Sequence, residues 1–422
     1  MMPRWPFAVK GLPPSAWASI DESAKNAGWN VAKGDLPLPV LTVSSSAIRN
    51  NLDVMAQWCR DHECYLAPHG KTTMAPELFG RQLDAGAWGI TVATVRQMAV
   101  AHAAGAKRII LANQVVGDAE LIMLGDVLSE HGVSVMVFVD SFTGLELAAA
   151  LGERRGVQVP ILIELGVAGG RTGVRDEVEM LNLLKKARQI DFIDVAGVSA
   201  FEGVLPTLRS ESSETRSPIA EDAAIRSFLN EVADSIKKAQ AEGLLTRSSI
   251  VTAGGSLAFD LVVETLGPLT DSLVLRSGCY ITHDHGLYST LSPLRGGEAT
   301  ELQVGALWPA INLWARVTSA PEPGLVIVGF GKRDANEDAG SPVPLVRVSA
   351  EGGRDVVVGW RVDRMWDQHA RLRIDSSNAT RFDVGDMVIF GVSHPCTALD
   401  KWRTIVEIDD GDNVLGVLET FF

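Results

Sequence analysis

The stretch "YLAPHGKTTMAPELFGRQLDAGAWGITVA" (residues 65–93) contains one complete strand–helix–strand unit. An apolar, strand-like run ends at Ala67, and a tight Pro-His-Gly-Lys turn follows it. An amphipathic segment comes next and closes on Gly86, a residue type suited to a helix C-cap. A second apolar run, Trp88–Ala93, then begins. The pattern predicts a β/α/β unit with Lys71 just past the end of its first strand.

The same alternation repeats from about residue 60 to residue 290. Eight short β-rich runs alternate with helix-like segments, which favours a (β/α)8 TIM-like barrel over a doubly wound open sheet. The predicted strands are Cys64–Ala67, Trp88–Ala93, Arg108–Ala112, Val133–Val139, Pro160–Leu165, Asp194–Ala200, Ser249–Ala253 and Ser272–Leu275. After about residue 300, strands follow one another at short spacing with Gly, Asp and Pro turns, so a C-terminal β domain is predicted.

The bulk composition excludes several classes of protein. The net charge is −14, from 52 acidic against 38 basic residues. That balance argues against nucleic-acid binding, which needs clustered Lys and Arg. The first residues carry no signal-peptide pattern, and no uncharged apolar run is long enough to span a membrane. The four cysteines are scattered without framework spacing, so we expect cytoplasmic thiols, any one of which could be a metal ligand.

Lys71 is the first candidate for chemistry. In a (β/α)8 barrel, reactive groups sit where strands end and loops begin. A lysine placed there beside apolar walls can act as a nucleophile or base. The alternative is a solvated lysine in a surface turn.

Two glycine-rich segments at later strand ends form a candidate phosphate cup. "TAGGS" (252–256) follows the predicted seventh strand, and its backbone N–H groups and hydroxyl can cradle a phosphate, although such loops are common. "LRSGCY" (275–280) ends the eighth strand, where Gly278 and Tyr280 could complete the cup. A lysine opposite a phosphate cup indicates pyridoxal 5′-phosphate (PLP).

Two further side chains follow predicted barrel strands. "ELGVAGGRTGVR" (164–175) places Arg171 in a glycine-rich turn, from which its charge would point into the barrel mouth. A surface arginine in a glycine turn fits the same pattern equally well. Gln114 ends the third strand in "ILANQ" and is expected to face the cofactor or the substrate.

The β domain carries a candidate metal motif in "GVSHPCTALDKWR" (391–403). His394 and Cys396 are two residues apart, so on an extended segment both side chains point to the same side. Imidazole and thiolate together suit Zn²⁺, and two protein ligands leave positions for water or substrate. The alternative is a buried cysteine beside a turn histidine.

Five ordered motifs resemble one known family. They are "PHGKTTMAPELFGRQLDAGAWGITVAT" (68–94), "RTGV" (171–174), "TAGGS" (252–256), "PEPGLVIVGFGKRD" (321–334) and "SHPCTALDKWR" (393–403). Together, over Leu38 to Arg403, they resemble the D-threonine aldolase and D-serine dehydratase-like group of fold-type III PLP enzymes. Within that group, the chain is most similar to members labelled D-serine deaminase or amino acid deaminase.

The resemblance implies an alanine-racemase-like barrel over residues 44–295 and a β domain built from 1–43 plus 296–422. Catalysis is implied for Lys71, which would form the imine with PLP, and for Arg171, near the phenolic oxygen of PLP. The implied phosphate ligands are Gly254, Gly255, Ser256, Gly278 and Tyr280. His394 and Cys396 would bind a divalent metal, zinc in preference to manganese because a thiolate is a soft ligand. Family members are commonly homodimers.

One residue departs from the aldolase and dehydratase pattern. Arg276 stands where racemases place an arginine against the pyridine nitrogen of PLP, and many aldolase and dehydratase relatives have another residue there. An arginine at that nitrogen keeps it unprotonated and weakens the electron sink. The other interpretation is that Arg276 points elsewhere.

Three reactions compete within such a family. Racemisation needs a second base, a tyrosine from the β domain, and the three tyrosines of this chain all lie at or before Tyr288. Retro-aldol cleavage of a D-threonine type and dehydration both gain from a metal at the β-hydroxyl. Aldolases of the group look like His-x-Asp and dehydratases like His-x-Cys, so His394 and Cys396 favour β-elimination. The predicted substrate is a small D-3-hydroxy amino acid such as D-serine, giving a 2-oxo acid and ammonia. A non-catalytic PLP carrier is a further alternative.

The segment "THDHGLY" (282–288) follows the predicted phosphate loop. Its histidines, His283 and His285, have the spacing of a metal pair. The preferred interpretation is that they line the mouth of the site or a dimer contact, together with Asp284 and Tyr288.

Overall fold

The structure is a computed structural model that separates into two compact units. It describes residues 9–14, 27–205, 218–295, 305–374 and 379–422. The barrel unit comprises Met55–Lys71 and Leu78–Gly278, and the β unit comprises Met1–Val54, Thr72–Glu77 and Cys279–Phe422. The domain boundaries expected from the sequence stay a prediction. No helix in these described ranges is long and apolar enough to cross a membrane.

Of the residues described, the first strand and helix are β1 (Val40–Ser44) and α1 (Ser45–Asp61), and the barrel strands follow. The barrel strands are β2 (Tyr65–Leu66), β3 (Ile90–Val92), β4 (Arg108–Leu111), β5 (Ser134–Val139), β6 (Val159–Leu165), β7 (Ile193–Ala200), β8 (Ile250–Ala253) and β9 (Leu273–Leu275). The intervening helices are α2 (Pro76–Asp84), α3 (Val95–Ala103), α4 (Asp118–Leu128), α5 (Phe142–Arg155), α6 (Glu177–Ala187), α7 (Pro218–Ala241) and α8 (Phe259–Leu266). Each of the eight predicted strands is therefore confirmed.

The eight strands form a closed parallel sheet. Their order is β2-β9-β8-β7-β6-β5-β4-β3, and each neighbouring pair is parallel. The two ends of this order meet, because the Thr91 N–H donates to the Pro68 carbonyl at 2.9 Å and the Trp88 N–H to the Leu66 carbonyl at 2.7 Å. Closure confirms the predicted barrel and excludes the doubly wound open sheet.

Side chains from several strands fill the barrel interior. A buried cluster joins Ala67, Ile110, Met136, Phe138, Leu162 and Val274. Because helices cover the outer face as well, the strands are apolar on both faces, as in the β6 sequence VPILIEL. Several helices begin at a polar cap: Thr94, Ser141 and Asp176 each accept a backbone N–H of the first turn.

The β unit is built on a ten-stranded sheet with the main order β13-β12-β16-β10-β1-β17-β18. Its remaining strands are β10 (Ile311–Glu322), β11 (Leu325–Val328), β12 (Val343–Val348), β13 (Arg354–Val356), β14 (Trp360–Met365), β15 (Ala370–Ile374), β16 (Met387–Gly391), β17 (Thr404–Ile408) and β18 (Val414–Glu419). Two short helices, α9 (Leu287–Leu291) and α10 (Cys396–Leu399), lie between strands along the chain. The predicted C-terminal β domain is confirmed.

The longest strand of the β unit is β10, a segment that the sequence analysis did not single out as a strand. It pairs with β1, β11 and β16 and so lies at the centre of the sheet. Its buried Trp314 donates its indole N–H to Thr42 Oγ1 at 3.0 Å, which satisfies the one polar atom of that side chain. Ile311, Leu313 and Ala315 are also buried.

Gly197, in β7, lies where the backbone of the neighbouring strand leaves no room for a side chain. A Cβ added there would lie 1.9 Å from the Ile250 carbonyl oxygen on the neighbouring strand, whereas one added at Gly80 in α2 meets nothing within 4 Å. We expect Gly197→Ala to destabilise the protein by about 3 kcal/mol, because backbone must move. Gly80→Ala should be neutral or stabilise by about 0.5–1 kcal/mol.

Thermal unfolding followed by circular dichroism measures both variants. Gly197→Ala should lower the melting temperature by about 6–12 °C relative to the wild type. Equal melting temperatures for the two variants would contradict the described packing of β7 against β8.

Candidate active site

Lys71 lies in a single 3-10 turn, Gly70–Thr72, that directly follows β2. Gly70 is required there, because a Cβ would lie 2.7 Å from the ring of Phe79. Lys71 is half-buried, and among the described residues its Nζ makes no hydrogen bond and no ion pair. The strand end therefore presents a primary amine to which none of the described residues is bonded.

His69 lies two residues before Lys71, and the sequence analysis predicted no role for it. Its Nδ1 is buried and has no hydrogen-bond partner among the described residues. Burial, followed by the positive charges of Lys71, Arg276 and Arg171, holds the pKa of His69 well below its ordinary value. The imidazole is therefore neutral at pH 7 and stands among three cations.

The predicted phosphate loop donates to a carboxylate. The Gly254 N–H donates to Glu202 Oε2 at 3.2 Å, and the Gly255 N–H donates to Glu202 Oε1 at 2.6 Å. Gly254 has φ +85°, a conformation that favours glycine, and a Cβ at Gly255 would lie 2.9 Å from the Phe201 ring. Two backbone donors that converge on one carboxylate make an anion site, so a phosphate there would take over the bonds of Glu202.

Arg276 is buried in the barrel unit, and two of its nitrogen atoms donate hydrogen bonds. Its Nη1 donates to Thr252 Oγ1 at 2.9 Å, and its Nη2 donates to the Ala200 carbonyl at 2.7 Å. Burial lowers the pKa of Arg276 to about 10, against the opposing effect of Glu202 and Glu164, so the guanidinium stays charged at pH 7. The contact with the pyridine nitrogen of PLP stays a prediction.

Arg171 and Gln114 also follow barrel strands. Arg171 is exposed, and its guanidinium lies 4.8 Å from the centroid of the Phe201 ring. Gln114 Nε2 donates to Glu164 Oε2 at 2.6 Å, while the buried Gln114 Oε1 accepts no hydrogen bond from the described residues. An acceptor left open in this way is available to a bound donor.

The remaining predicted phosphate ligands divide between the two units. Ser256 and Gly278 belong to the barrel unit, and Gly278 is its last residue. Tyr280 is buried in the β unit, in the 3-10 turn Cys279–Ile281. Their contacts with a phosphate stay predictions.

The residues of the barrel unit fit PLP. The cofactor carries an anionic phosphate and a phenolic oxygen, and it bonds covalently to a primary amine. The barrel unit offers the amine of Lys71, the paired N–H groups of Gly254 and Gly255, and two arginines. The buried His69 Nδ1 and Gln114 Oε1, which have no hydrogen-bond partner among the described residues, would provide further polar contacts.

A candidate metal centre lies entirely within the β unit. One ligand atom each from Cys279, His394 and Cys396 lies within 4.8 Å of the others, and the two sulfur atoms are 3.4 Å apart. The structure thus brings the two predicted ligands together and adds Cys279. This third candidate ligand is more than a hundred residues from the motif along the chain, so no local spacing indicated it.

The surroundings of the centre favour a soft divalent cation. Asp338 Oδ2 lies 2.8 Å from His394 Nδ1, which leaves Nε2 of the ring for a metal. Burial lowers the pKa of His394, but Cys279 and Asp338 outweigh it and raise that pKa to about 9. The hydrogen bond with Cys396 and burial raise the pKa of Cys279 well above its ordinary value. A bound cation would favour the charged thiolate form of the two neighbouring cysteines. Sulfur and imidazole ligands together suit zinc.

The two histidines of "THDHGLY" do not join a metal group among the described residues. His283 and Asp284 are buried. Asp284 Oδ1 accepts the N–H groups of Gly286, Tyr288 and Ser289, which holds the start of α9. The segment therefore has a structural function, whatever else it contacts.

His283 makes folding stability depend on pH. Burial lowers its pKa to about 4, and its Nδ1 accepts the Asp284 N–H at 2.9 Å, which requires the neutral ring. The unfolded chain takes up this proton below about pH 6.5, so stability is lost as the pH falls from about 6.5 to about 4. We expect His283→Asn, which tolerates the positive φ of 46° at this position, to remove up to about 3 kcal/mol of that loss.

Urea unfolding at pH 7 and pH 4.5 measures the difference. The exposed His131 supplies the matched control, His131→Asn, which should follow the wild type. A pH dependence of His283→Asn equal to that of the wild type would contradict the burial of a neutral ring.

Two family models match the chain. The alanine racemase, N-terminal domain model matches residues 43–259, more than half of the chain. The model described as "Putative serine dehydratase domain" matches residues 310–408.

Named relatives cover most of the chain. D-threonine aldolase from Arthrobacter sp. is 27% identical over 88% of this chain and 89% of its own length. D-threo-3-hydroxyaspartate dehydratase from Delftia sp. (strain HT23) is 26% identical over 59% of this chain and 62% of its own length.

Solved structures share the fold. D-threonine aldolase from Filomicrobium marinum has a TM-score of 0.76 at 23% identity, covering 93% of this chain and 97% of that one. A cysteine-to-alanine variant of D-threo-3-hydroxyaspartate dehydratase, solved in a metal-free form, has a TM-score of 0.70 at 19% identity, covering 93% and 99%. With the closed barrel, the appended β unit and the match over residues 43–259, the chain belongs to the alanine racemase N-terminal domain family, the fold-type III PLP family.

Proposed function

We propose that the protein eliminates water from a D-3-hydroxy amino acid, with D-serine as the leading substrate, to give a 2-oxo acid and ammonia. The named relatives are aldolases and dehydratases of D-amino acids, and the chain is a PLP-dependent lyase. Because these relatives include both reaction types, elimination has to be chosen over aldol cleavage on other grounds.

The observation that carries this choice is the sulfur-rich metal centre. Dehydratases of the resembled group carry His-x-Cys where aldolases carry His-x-Asp, and here His394 and Cys396 stand together with a second thiol. A related dehydratase with one cysteine replaced by alanine has been solved in a metal-free form.

The barrel residues would hold PLP and handle the Cα proton. Lys71 would hold the cofactor covalently, and Gly254 and Gly255 would hold its phosphate in place of Glu202. PLP, when bound, withdraws electrons from the bonds at the amino acid's Cα. Lys71 Nζ would be the base that takes the Cα proton.

His394 and Cys396 would hold the divalent ion. Such an ion is a Lewis acid that stabilises negative charge on an oxygen, here the β-hydroxyl. Thr72 follows Lys71 directly in the same 3-10 turn, and its Oγ1 lies 3.4 Å from Cys396 Sγ.

Racemisation and simple carriage of PLP have less support. The three tyrosines of the sequence are Tyr65, Tyr280 and Tyr288. None of them lies in the later strands of the β domain, so the tyrosine base that racemisation needs is missing there. A carrier of PLP has no use for a metal centre of three converging ligand atoms. We also propose a homodimer, which rests on the family resemblance alone.

Product analysis tests the proposed reaction. Protein loaded with PLP and Zn²⁺ and given D-serine should release pyruvate and ammonia in equal amounts, and L-serine should give neither. D-threonine should give 2-oxobutyrate rather than glycine and acetaldehyde.

Lys71→Ala and His394→Ala should each lower the rate of 2-oxo acid release at least 100-fold, since each removes a group of the reaction. Glycine with acetaldehyde from D-threonine, in the absence of any oxo acid, would reverse the choice in favour of an aldolase.

A further inference from the structure

We propose that Cys279 is the third protein ligand of the metal, so that the centre is a Cys₂His site with one open position. This inference rests on the proposed function, because it completes the centre assigned there to His394 and Cys396. It assigns a role to a cysteine that stands apart from the metal motif in sequence.

The first support is geometric. The donor atoms of Cys279, His394 and Cys396 lie within 4.8 Å of one another. The sulfur atoms are 3.4 Å apart, close to the roughly 3.7 Å that separates two thiolates on a tetrahedral zinc with Zn–S bonds of about 2.3 Å. A single ion can therefore reach both sulfurs and the imidazole with little movement.

The second support is the set of polar groups around the two sulfurs. Thr72 Oγ1 lies 3.6 Å from Cys279 Sγ and 3.4 Å from Cys396 Sγ, so one hydroxyl lies beside both sulfurs. Tyr288 makes a further side-chain hydrogen bond to Cys279. Polar side chains of this kind surround the ligand atoms of metal centres and hold them in position.

The third support is the orientation of the histidine. Asp338 fixes Nδ1 of His394, and Asn336 Nδ2 donates to the His394 carbonyl at 3.1 Å and to Thr397 Oγ1 at 2.8 Å. A carboxylate behind an imidazole is a usual arrangement at zinc centres. The loop that carries His394 and Cys396 is thus held in place before a metal arrives.

Two thiolates change what the centre can do. Thiolate sulfur is a soft ligand, whereas Mn²⁺ and Mg²⁺ prefer oxygen ligands, so the site selects Zn²⁺ over Mn²⁺ or Mg²⁺. Three protein ligands leave one position for the substrate oxygen, as catalytic zinc sites require. The consequence is a zinc enzyme that manganese does not restore after metal removal.

The sulfur count at the metal tests the inference directly. Purified full-length protein is stripped with a chelator, reloaded with Zn²⁺ and studied by X-ray absorption at the zinc edge. We expect two sulfur ligands in the wild type and one each in Cys279→Ser and Cys396→Ser. Cys59→Ser removes a buried thiol outside the centre and should leave two.

Zinc affinity, measured by competition with a chromophoric chelator, provides the second readout. Cys279→Ser should bind zinc at least about 100-fold more weakly than the wild type. Removing a metal ligand lowers the affinity for the ion more than removing a residue that only supports a ligand. Cobalt substitution of the wild type gives the number of thiolates from charge-transfer absorbance, which keeps the test valid if a variant misfolds.

The outcomes separate this inference from the proposed function. One sulfur in the wild type, unchanged in Cys279→Ser and lost in Cys396→Ser, would overturn the third ligand and leave the two-ligand metal centre intact. A wild type that binds no zinc, or whose Cys279 and Cys396 form a disulfide by mass spectrometry, would overturn both.

Discussion

Eight parallel strands bring their carboxyl ends to one rim of a closed barrel, and every candidate cofactor residue of the barrel unit depends on that constraint. Lys71 follows β2, Gln114 follows β4, Arg171 follows β6 and Glu202 follows β7. The paired glycine N–H groups follow β8. Residues far apart in sequence thus converge because hydrogen bonds between strands fix the register, and the bond from Thr91 N–H to the Pro68 carbonyl closes the ring beside the lysine turn.

The electrostatics of this rim suit an anionic cofactor. Lys71, Arg171 and Arg276 surround a histidine that burial keeps neutral, while Glu202 occupies the two glycine N–H groups. A buried carboxylate repels an anion that binds beside it, which costs free energy unless the carboxylate moves away or pairs with a cation. Arg276 is one such cation, since its charge already interacts with that of Glu202.

Local patterns in the sequence were sufficient for the barrel strands and for the lysine turn, because each apolar run is bounded by its own turn. β10 was missed although Ile311, Leu313 and Ala315 alternate as in a strand, since Pro309 and Pro321 bracket the run and suggest a loop. Cys279 and Glu202 could not be found, because their partners are distant in sequence and only the tertiary fold brings them together. The role expected for Arg276 came from family analogy, and its hydrogen bonds to Thr252 and Ala200 depend on side-chain packing that no spacing encodes.

The central claim is that Lys71 carries PLP. Borohydride reduction of the PLP-loaded protein, followed by peptide mapping with mass spectrometry, tests it most directly. The account predicts a PLP-derived mass on the peptide that contains Lys71, and none on that peptide in Lys71→Ala. Protein that stays colourless with PLP, or that fixes the cofactor on a different lysine, would contradict it.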